Sequence, residues 1–437
     1  MKDFITPNET IRENDAASIN AAIQAAKAAR LSRIVIPRYN LRTKSSRWVI
    51  GSPIRVPSDF TVILDNCYMV QETGCLCNMF NNEHAYDEKL GILMEPQDRN
   101  IAVIGEGNVI LDGGEHNNLR ETTNGKRGLP NIWMNNMLCW MNVSGLRVEN
   151  LHIRNQRWWA INHIFCDGVT LKNLNFFARP HVPNMDGIDL RVGCHDFRLE
   201  NITGRTGDDL VAFTALWGRG EEARRQEGRD GDIHDVTLRN IKGDANTCYL
   251  FRILNHDGNQ VYRIEGDTFM DSSDYTSKIR SGAAISVGSP FYYKLSQAAP
   301  GDTREIRLKN ITSRGTHAVL LNHTVQDSSF DNIHTFGDNI TGISTLDGAD
   351  LQRVTVDGFY YGSDQGMMWG AGRAVKPSFG IRLPHTTGEL CVKNMVVDTV
   401  KTAVEVGGGL RLELENCRLG KNNKDVVCDE CSTVALI

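Results

Sequence analysis

The chain has 437 residues, of which 41% are hydrophobic and 23% are charged, and its formal net charge is −5. This composition is typical of a folded globular protein, and the acidic balance argues against a nucleic-acid partner, which would need a basic face. No apolar run reaches the roughly 18 residues that a membrane span requires, so no membrane partner is expected.

The N-terminal stretch MKDFITPNETIREND lacks an apolar signal core, which favours a cytoplasmic location. Eleven cysteines, an odd number without a framework spacing, are typical of reduced thiols rather than of disulfides. Cys428 and Cys431 form a lone CxxC pair without a second pair or a nearby histidine. We therefore expect neither a metal nor a cofactor, and no feature of the sequence indicates an oligomeric state.

Residues 14–30 predict one helix, and residues 33–37 predict a short strand after it. Asn14 or Asp15 can cap the helix. One face of the helix is apolar and consists of Ile19, Ala22, Ile23 and Ala26. Good helical periods almost disappear after this point, so we expect the helix to cap the open end of a β structure.

A recurring phrase of alternating apolar and polar residues that ends near an asparagine runs through the rest of the chain. The clear copies are GLRVENLHI (145–153), GVTLKNLNF (168–176), DFRLENITG (196–204), DVTLRNIKG (235–243) and EIRLKNITS (305–313). The asparagines of the clear and fainter copies are Asn150, Asn173, Asn201, Asn240, Asn310, Asn332, Asn394 and Asn416. Several gaps between them are 22, 23 or 28 residues, and such a period of short strands indicates a stacked solenoid.

The pattern predicts an all-β parallel β-helix of about ten coils, with an inward-facing ladder of stacked asparagines. An antiparallel β-sandwich is the alternative, but it does not need one asparagine at a fixed spacing. Leucine-rich repeats also carry asparagines, but their helical halves are missing here. No linker or low-complexity segment interrupts the chain, so residues 1–437 are predicted to form a single domain, with the capping helix at about 14–30.

Three aspartates lie in two short motifs, NMDGIDL (184–190) and TGDDLVAF (206–213). If these motifs are strands of neighbouring coils, the backbones at Asp186 and Asp208 are about 5 Å apart. Consecutive strand residues face opposite sides, so Asp208 and Asp209 can both be accessible only at a turn, which Gly207 would allow. Carboxylates this close repel, and we expect one of them to hold a proton near neutral pH. Turn-capping aspartates are the alternative interpretation.

Four segments together resemble glycoside hydrolase family 28, the polygalacturonases and related pectin-cleaving enzymes. They are NIAVIGEGNVILDGGE (100–115), LHIRNQRWWAINHIFCDGVTLKNL (151–174), NMDGIDL and TGDDLVAF. The resemblance implies a single-stranded right-handed parallel β-helix and an inverting hydrolase in which one carboxylic acid protonates the glycosidic oxygen while carboxylates activate water. It implies that Asp208 is the general acid, that Asp186 and Asp209 hold and deprotonate the water, and that Asn184 orients the site.

The resemblance also implies a substrate-binding set, and the chain departs from it at several positions. In FRILNHDG (251–258), Arg252 matches the family's Arg-Ile-Lys motif, but Leu254 replaces the lysine, so the chain lacks one of two cations that bind a substrate carboxylate. His256 follows in the same segment and could reach the same groove. Trp158 could stack on a sugar ring.

Two further departures concern histidines. Asn162 stands where the family has a histidine, and the Gly-His-Gly motif is absent; a charged stretch at 216–236 takes its place and predicts a loop. His195 and His234 each precede a ladder asparagine by six residues, which favours a structural position at a corner.

The sequence thus predicts a glycoside hydrolase that acts on a pectin-like or related carbohydrate. Two other classes remain open at this point. A polysaccharide lyase or epimerase on the same scaffold would need a base and a cation or Ca²⁺ near a uronate. A non-catalytic carbohydrate-binding β-helix would need no aspartate cluster.

Overall fold

The structure is a computed structural model, and it describes fourteen stretches of the chain. These are residues 3–85, 98–114, 135–178, 184–218, 221, 228–274, 277, 279–288, 298–336, 341–362, 378–398, 400–420, 422 and 424–437. Parts of the predicted 216–236 loop, and residues 179–183 before Asn184, lie outside these residues. Within the described stretches, no helix has the length and apolarity needed to cross a membrane.

The N-terminal region forms a short 3₁₀ turn, Pro7–Glu9, and one helix, α1, Asp15–Ala28. Asn14 is the N-cap residue, because its side-chain oxygen accepts the N–H of Ala17 at 2.8 Å. The predicted apolar face is confirmed, since Ile19, Ala22, Ile23 and Ala26 are all 0% exposed. The helix packs on β1, β2 and β3, defined below, as expected for a cap over the first coils.

The chain divides into two compact units. Unit 1 comprises Met1–Asp208 and Trp217–Gly231, and unit 2 comprises Asp209–Leu216 and Asp232–Ile437. The single-domain organisation inferred from the sequence stays a prediction.

Unit 1 contains fourteen strands among its described residues. They are β1 Arg33–Ile36, β2 Arg47–Ile50, β3 Ile54–Val56, β4 Phe60–Asp65, β5 Tyr68–Gln71, β6 Phe80–Asn82, β7 Asp98–Glu106, β8 Ile110–Asp112, β9 Leu138–Met141, β10 Val143–Arg154, β11 Ile161–Ile164, β12 Asp167–Phe177, β13 Ile188–Leu190 and β14 His195–Thr206.

Unit 2 contains seventeen strands among its described residues. They are β15 Val211–Ala215, β16 Ile233–Ala245, β17 Tyr249–Asn255, β18 Val261–Asp271, β19 Ala283–Val287, β20 Thr303–Ser313, β21 His317–Leu321, β22 Thr324–Phe336, β23 Thr341–Ser344, β24 Ala349–Gly362, β25 Phe379–Leu383, β26 Thr386–Val397, β27 Thr402–Val406, β28 Arg411–Glu415, β29 Arg418–Leu419, β30 Lys424–Cys428 and β31 Thr433–Leu436.

Within each unit, every strand pairs in parallel with the equivalent strand of the next coil. In unit 1 the long strands β10, β12 and β14 form one sheet, and the short strands β9, β11 and β13 form another. In unit 2 the long strands β16, β18, β20 and β22 and the short strands β15, β17, β19 and β21 repeat this arrangement. The predicted fold class, a parallel β-helix with an N-terminal capping helix, is confirmed. Parallel crossover connections are right-handed in nearly all proteins.

The core of the coils consists of apolar columns that run from one long strand to the next. Leu146 of β10 is in register with Val169 of β12, which is in register with Phe197 of β14, and these residues are 0%, 1% and 2% exposed. Burial of each such side chain contributes roughly 1.5–3 kcal/mol. The alternation in the repeated phrase therefore places every second residue in this core.

The asparagines of the phrase form corners in the long strands. Asn150 and Asn173 have φ values of 60° and 54°, in the left-handed region. Asparagine adopts this conformation more readily than most residues with a side chain, so it permits the strand to turn there. At one coil a threonine takes the place of the asparagine, so the phrase is hard to recognise there. This residue, Thr268 of β18, lies in the same column as Asn240 and also has a positive φ, of 70°.

The asparagine ladder exists, but it faces outward, so the inward orientation expected from the sequence is wrong. Asn150 and Asn173 are exposed, and the side-chain N–H of Asn173 donates to the Asn150 side-chain oxygen at 2.8 Å. Asn201 donates to Asn173 at the same distance. A left-handed corner is a convex point of the coil, so its side chain points to solvent and bonds to the next coil there.

Candidate active site

The two aspartate motifs meet on neighbouring coils, as the repeat predicts. In unit 1, the N–H of Gly207 donates to the carbonyl of Met185 at 3.1 Å. The N–H of Asn184 donates to Oδ2 of Asp208 at 2.9 Å. Asn184 has a φ of 60°, a left-handed conformation that directs its N–H towards this carboxylate. The sequence separation of 22 residues between Asp186 and Asp208 is thereby closed in space.

Asp208 and Asp209 lie in the bend between β14 and β15, where the turn expected from Gly207 is found. The hydroxyl of Thr206 donates to the carbonyl of Asp208 at 2.7 Å and fixes this bend. Asp208 remains partly exposed, whereas Asp209 is 0% exposed. The two consecutive carboxylates therefore have different environments.

Asp186 is 2% exposed, and its backbone is held by two neighbours in unit 1. Its carbonyl accepts the N–H of Ala160 at 3.0 Å and the side-chain amide of Gln156 at 3.1 Å. The same Gln156 amide nitrogen lies 3.1 Å from the carbonyl of Met185. Gln156 thus fixes the backbone on which Asp186 is mounted, a role that no sequence pattern indicated.

In unit 2, Asp209 is engaged by one cation and one backbone donor. Nε of Arg252 lies 2.8 Å from Oδ2 of Asp209, and the Arg252 side chain is only 13% exposed. The N–H of Tyr249 donates to Oδ1 of Asp209 at 2.8 Å. Burial, together with the nearby Asp209 charge, raises the pKa of the Tyr249 phenol to about 12. Arg252, predicted to bind substrate, is therefore in close contact with a predicted catalytic carboxylate.

Two residues that follow Arg252 in the sequence, Leu254 and His256, are buried. Leu254, which stands in place of the family's lysine, is 0% exposed and belongs to the core. His256 is also 0% exposed, and its backbone N–H donates to the carbonyl of Ala215. Its side chain is enclosed at the end of β17, and its predicted contact with substrate stays a prediction.

Trp158 and Trp159 differ in exposure. Trp158 is 3% exposed, and its predicted stacking on a sugar ring stays a prediction. Trp159 is more exposed, and its ring lies 5.4 Å from that of Trp158. The Arg191 guanidinium lies over the Trp159 ring at 4.8 Å. Arg191 in turn forms a buried ion pair with Glu221 at 2.7 Å, which fixes this described part of the charged loop on unit 1.

A buried polar column runs along the short-strand sheet of unit 1. Asn81, Cys139, Asn162 and Asp189 are in register on β6, β9, β11 and β13, and each is at most 2% exposed. The side-chain oxygens of Asn81 and Asn162 are buried without a hydrogen-bond partner among the described residues, and so are both polar side-chain atoms of Asn135. Buried amides without partners are rare in proteins.

The histidines at the corners behave as expected for structural residues. His195 contacts Asp196 at 2.8 Å and His234 contacts Asp235 at 2.6 Å. His234 also stacks on Tyr262 with ring centroids 4.8 Å apart. None of these contacts involves the three candidate catalytic aspartates.

Comparison with known proteins supports the resemblance in the N-terminal part of the chain. The family described as Glycosyl hydrolases family 28 matches residues 31–218. The polygalacturonase QRT2 of Arabidopsis thaliana is 23% identical over 176 residues, which are 40% of this chain and 38% of that protein. The matched stretch therefore spans well under half of the length of this relative.

The solved structures that the chain matches share little sequence with it. The polygalacturonase of Erwinia carotovora ssp. carotovora has a TM-score of 0.44 and 11% identity, with 97% of this chain and 94% of that chain covered. PfbA, a surface adhesin of Streptococcus pneumoniae, has a TM-score of 0.45 and 9% identity, with 98% and 91% covered. Residues 31–218 are thus a divergent match to glycoside hydrolase family 28.

Proposed function

We propose that the protein is a glycoside hydrolase that cleaves its substrate with inversion and uses Asp186, Asp208 and Asp209. The observation that carries this proposal is the hydrogen bond from the Asn184 N–H to the Asp208 carboxylate. It brings the NMDG and GDD motifs together on adjacent coils, beside a buried Asp186. Turn-capping alone would not require the second motif to lie next to the first.

The environments of Asp208 and Asp209 support different chemical roles. Oδ2 of Asp208 accepts the Asn184 N–H, so a proton for the leaving group would be carried on Oδ1. Partial exposure gives Asp208 access to a substrate. Asp209 is buried against the Arg252 guanidinium, which compensates the negative charge of the carboxylate. We assign Asp208 as general acid and Asp209, with Asp186, as the carboxylates that hold and deprotonate water.

Among the described residues, two arginines form ion pairs with carboxylates of the chain, and this bears on how a substrate is bound. Arg252 contacts Asp209, and Arg191 contacts Glu221. Leu254 contributes no charge where the family has lysine. We infer a substrate that is not held through a uronate carboxylate and that has Asn184 among its contacts.

A panel of defined neutral and uronate oligosaccharides tests this proposal, with product analysis after incubation with the wild-type protein. We expect new reducing ends from a neutral or mixed substrate, no ultraviolet absorbance from an unsaturated product, and loss of turnover in Asp186→Asn and Asp208→Asn. Asp347→Asn, at an exposed position, is the matched control and should keep full activity.

Other outcomes would contradict the proposal in distinguishable ways. An unsaturated product would identify a lyase. Sugar binding without any product over a long incubation would identify a binding module. Cleavage confined to uronate oligomers would overturn the inferred substrate class while leaving the hydrolase assignment intact.

A further inference from the structure

A group of basic side chains lies on the short-strand sheet of unit 2, and the proposed hydrolase chemistry does not use it. Residues in register form a row across consecutive coils, from β17 to β25: Arg252, Ser286, Leu320, Ser344 and Arg382. Neighbouring strands are about 4.8 Å apart, so Arg382 lies about 19 Å along the sheet from Arg252. The row therefore leads from the cation that contacts Asp209 to a second arginine of the same unit.

His317, at the start of β21, is fixed beside this row. Its Nδ1 lies 2.7 Å from the hydroxyl of Ser344 on β23. Ser344 is 1% exposed, whereas His317 is half-buried. Ser344 is also in register with Arg382 on β25. The imidazole, the hydroxyl and the guanidinium therefore come from three consecutive coils that pack directly on one another.

Two more cations approach His317 and Arg382 from other segments. Nε of Arg280 lies 3.4 Å from the hydroxyl of the residue that precedes His317. The Arg382 guanidinium lies 4.9 Å from the centre of the Phe379 ring, and the Lys401 ammonium lies 5.7 Å from the same centre. Attraction to one aromatic ring thus helps to hold two like charges close together.

The acid–base state of His317 agrees with this concentration of positive charge. Burial, together with the charges of Arg280 and Arg382, lowers the pKa of His317 to about 4. The imidazole is therefore uncharged near neutral pH, and it offers one N–H donor rather than a further positive charge.

Two carboxylates partly offset the three cations. Glu405 lies 3.7 Å from Nε of Arg382, which is longer than a hydrogen bond, and the Arg382 side chain remains 46% exposed. Asp271 is 1% exposed and acts on Arg280 through its charge. With three cations against two carboxylates, the group keeps a net positive charge even when both carboxylates are ionised.

We propose that this group is an anion-binding site for an acidic substituent of a carbohydrate chain, either a carboxylate or a sulfate ester. Its members are Arg280, His317, Arg382 and Lys401. The guanidinium groups supply planar, charge-assisted donors that match the oxygens of such an anion. The neutral imidazole and the ammonium add donors at the two sides of the site.

The assignment of the ligand to a carbohydrate rests on the proposed function, because the site shares its sheet with Arg252 and Asp209. A sugar chain that runs along this sheet from Asp209 reaches His317 after two coils and Arg382 after four, or about 10 and 19 Å. Beside the aspartates the substrate is not held through a carboxylate. The acidic group therefore belongs to another sugar of the same chain, remote from the bond that is cleaved.

Direct binding tests the site without any need for turnover. Isothermal titration calorimetry is performed on the full-length Asp208→Asn protein, which should not consume its ligand. The probes are an oligogalacturonate, a sulfated neutral oligosaccharide and the same oligosaccharide without sulfate, all of equal length. Sodium sulfate is the probe for a free anion. The two acidic oligosaccharides distinguish a carboxylate from a sulfate ester.

We expect one acidic oligosaccharide to bind about tenfold more tightly than the neutral one, with a preference that weakens between about 50 and 500 mM NaCl. Arg382→Gln and Lys401→Gln, at exposed positions, should each weaken its binding about fivefold or more. Arg411→Gln is the matched control and should bind as before, because Arg411 is a 65% exposed arginine that pairs with Glu413 on the long-strand sheet of the same unit.

Three results would overturn the proposal. They are no tighter binding of either acidic oligosaccharide than of the neutral one, equal losses in Arg411→Gln and Arg382→Gln, and binding of free sulfate without binding of an acidic oligosaccharide. Hydrolysis by the wild-type protein is measured separately. Selective binding without hydrolysis would support this site and contradict the proposed hydrolase, and hydrolysis without selective binding would do the reverse.

Discussion

Replacement of Asp208 by asparagine separates proton donation from every other role of this residue. The amide oxygen of the substituted side chain can still accept the Asn184 N–H, so the contact between the two coils is expected to persist. Loss of a general acid typically costs 10²–10⁴-fold in rate, or about 2.7–5.4 kcal/mol of transition-state stabilisation. Because Asp208 is partly exposed, water can replace it in part, and we expect the lower half of that range, about 10²–10³-fold.

The assay compares two substrates of the same sugar, a natural oligosaccharide and an aryl glycoside with a nitrophenol leaving group. The nitrophenolate departs without protonation, so Asp208→Asn should lose about tenfold or less on the aryl glycoside. Asp186→Asn, assigned to the water side, should lose a similar factor on both substrates. Equal losses on both substrates for Asp208→Asn would refute its assignment as the acid.

Three further predictions concern the surroundings of the site. Arg252→Met removes the cation that contacts the buried Asp209 carboxylate and should lower the free energy of unfolding by about 3 kcal/mol. The double variant with Asp209→Asn should recover most of that loss. If the urea-unfolding midpoint does not recover, the two residues are not coupled. Leu254→Lys introduces the family's lysine at a position that is 0% exposed, so it should lower the melting temperature by several degrees and should not restore uronate binding. A stable variant that binds uronate would contradict this prediction. Burial lowers the pKa of His163 to about 4, below the unfolded value of about 6.5, so the folded protein should lose about 3 kcal/mol of stability as the pH falls from 6.5 to 4. A His163→Phe variant should show a shallower decline in stability over that range. An unchanged decline would contradict the role of His163.

The repeat explains why the fold and the aspartate pairing could be predicted from the sequence. A parallel coil repeats one short phrase, so alternation and period together specify which residues enter the core and which coils are neighbours. The placement of Asp186 near Asp208 follows from that register. The direction of the asparagine ladder did not follow, because it depends on the left-handed φ of Asn150 and Asn173, which spacing alone does not reveal.

The rest of the site depends on contacts between distant segments, which a local pattern does not encode. His256 and Trp158, which were predicted to contact substrate, are 0% and 3% exposed, a burial that the local sequence did not indicate. The role of Gln156 was also missed, since its partner Asp186 lies 30 residues away in the chain. The expectation that one carboxylate retains a proton near neutral pH stays a prediction.

The most direct test of the central claim is the anomeric configuration of the first product. Proton NMR, recorded within the first minutes of hydrolysis and before mutarotation, identifies which anomer of the new reducing end is released. The aspartate arrangement proposed here predicts inversion, so the product anomer should be opposite to the linkage that is cleaved. Release of the same anomer as the cleaved linkage would show a retaining mechanism and would contradict the assignment of Asp186, Asp208 and Asp209.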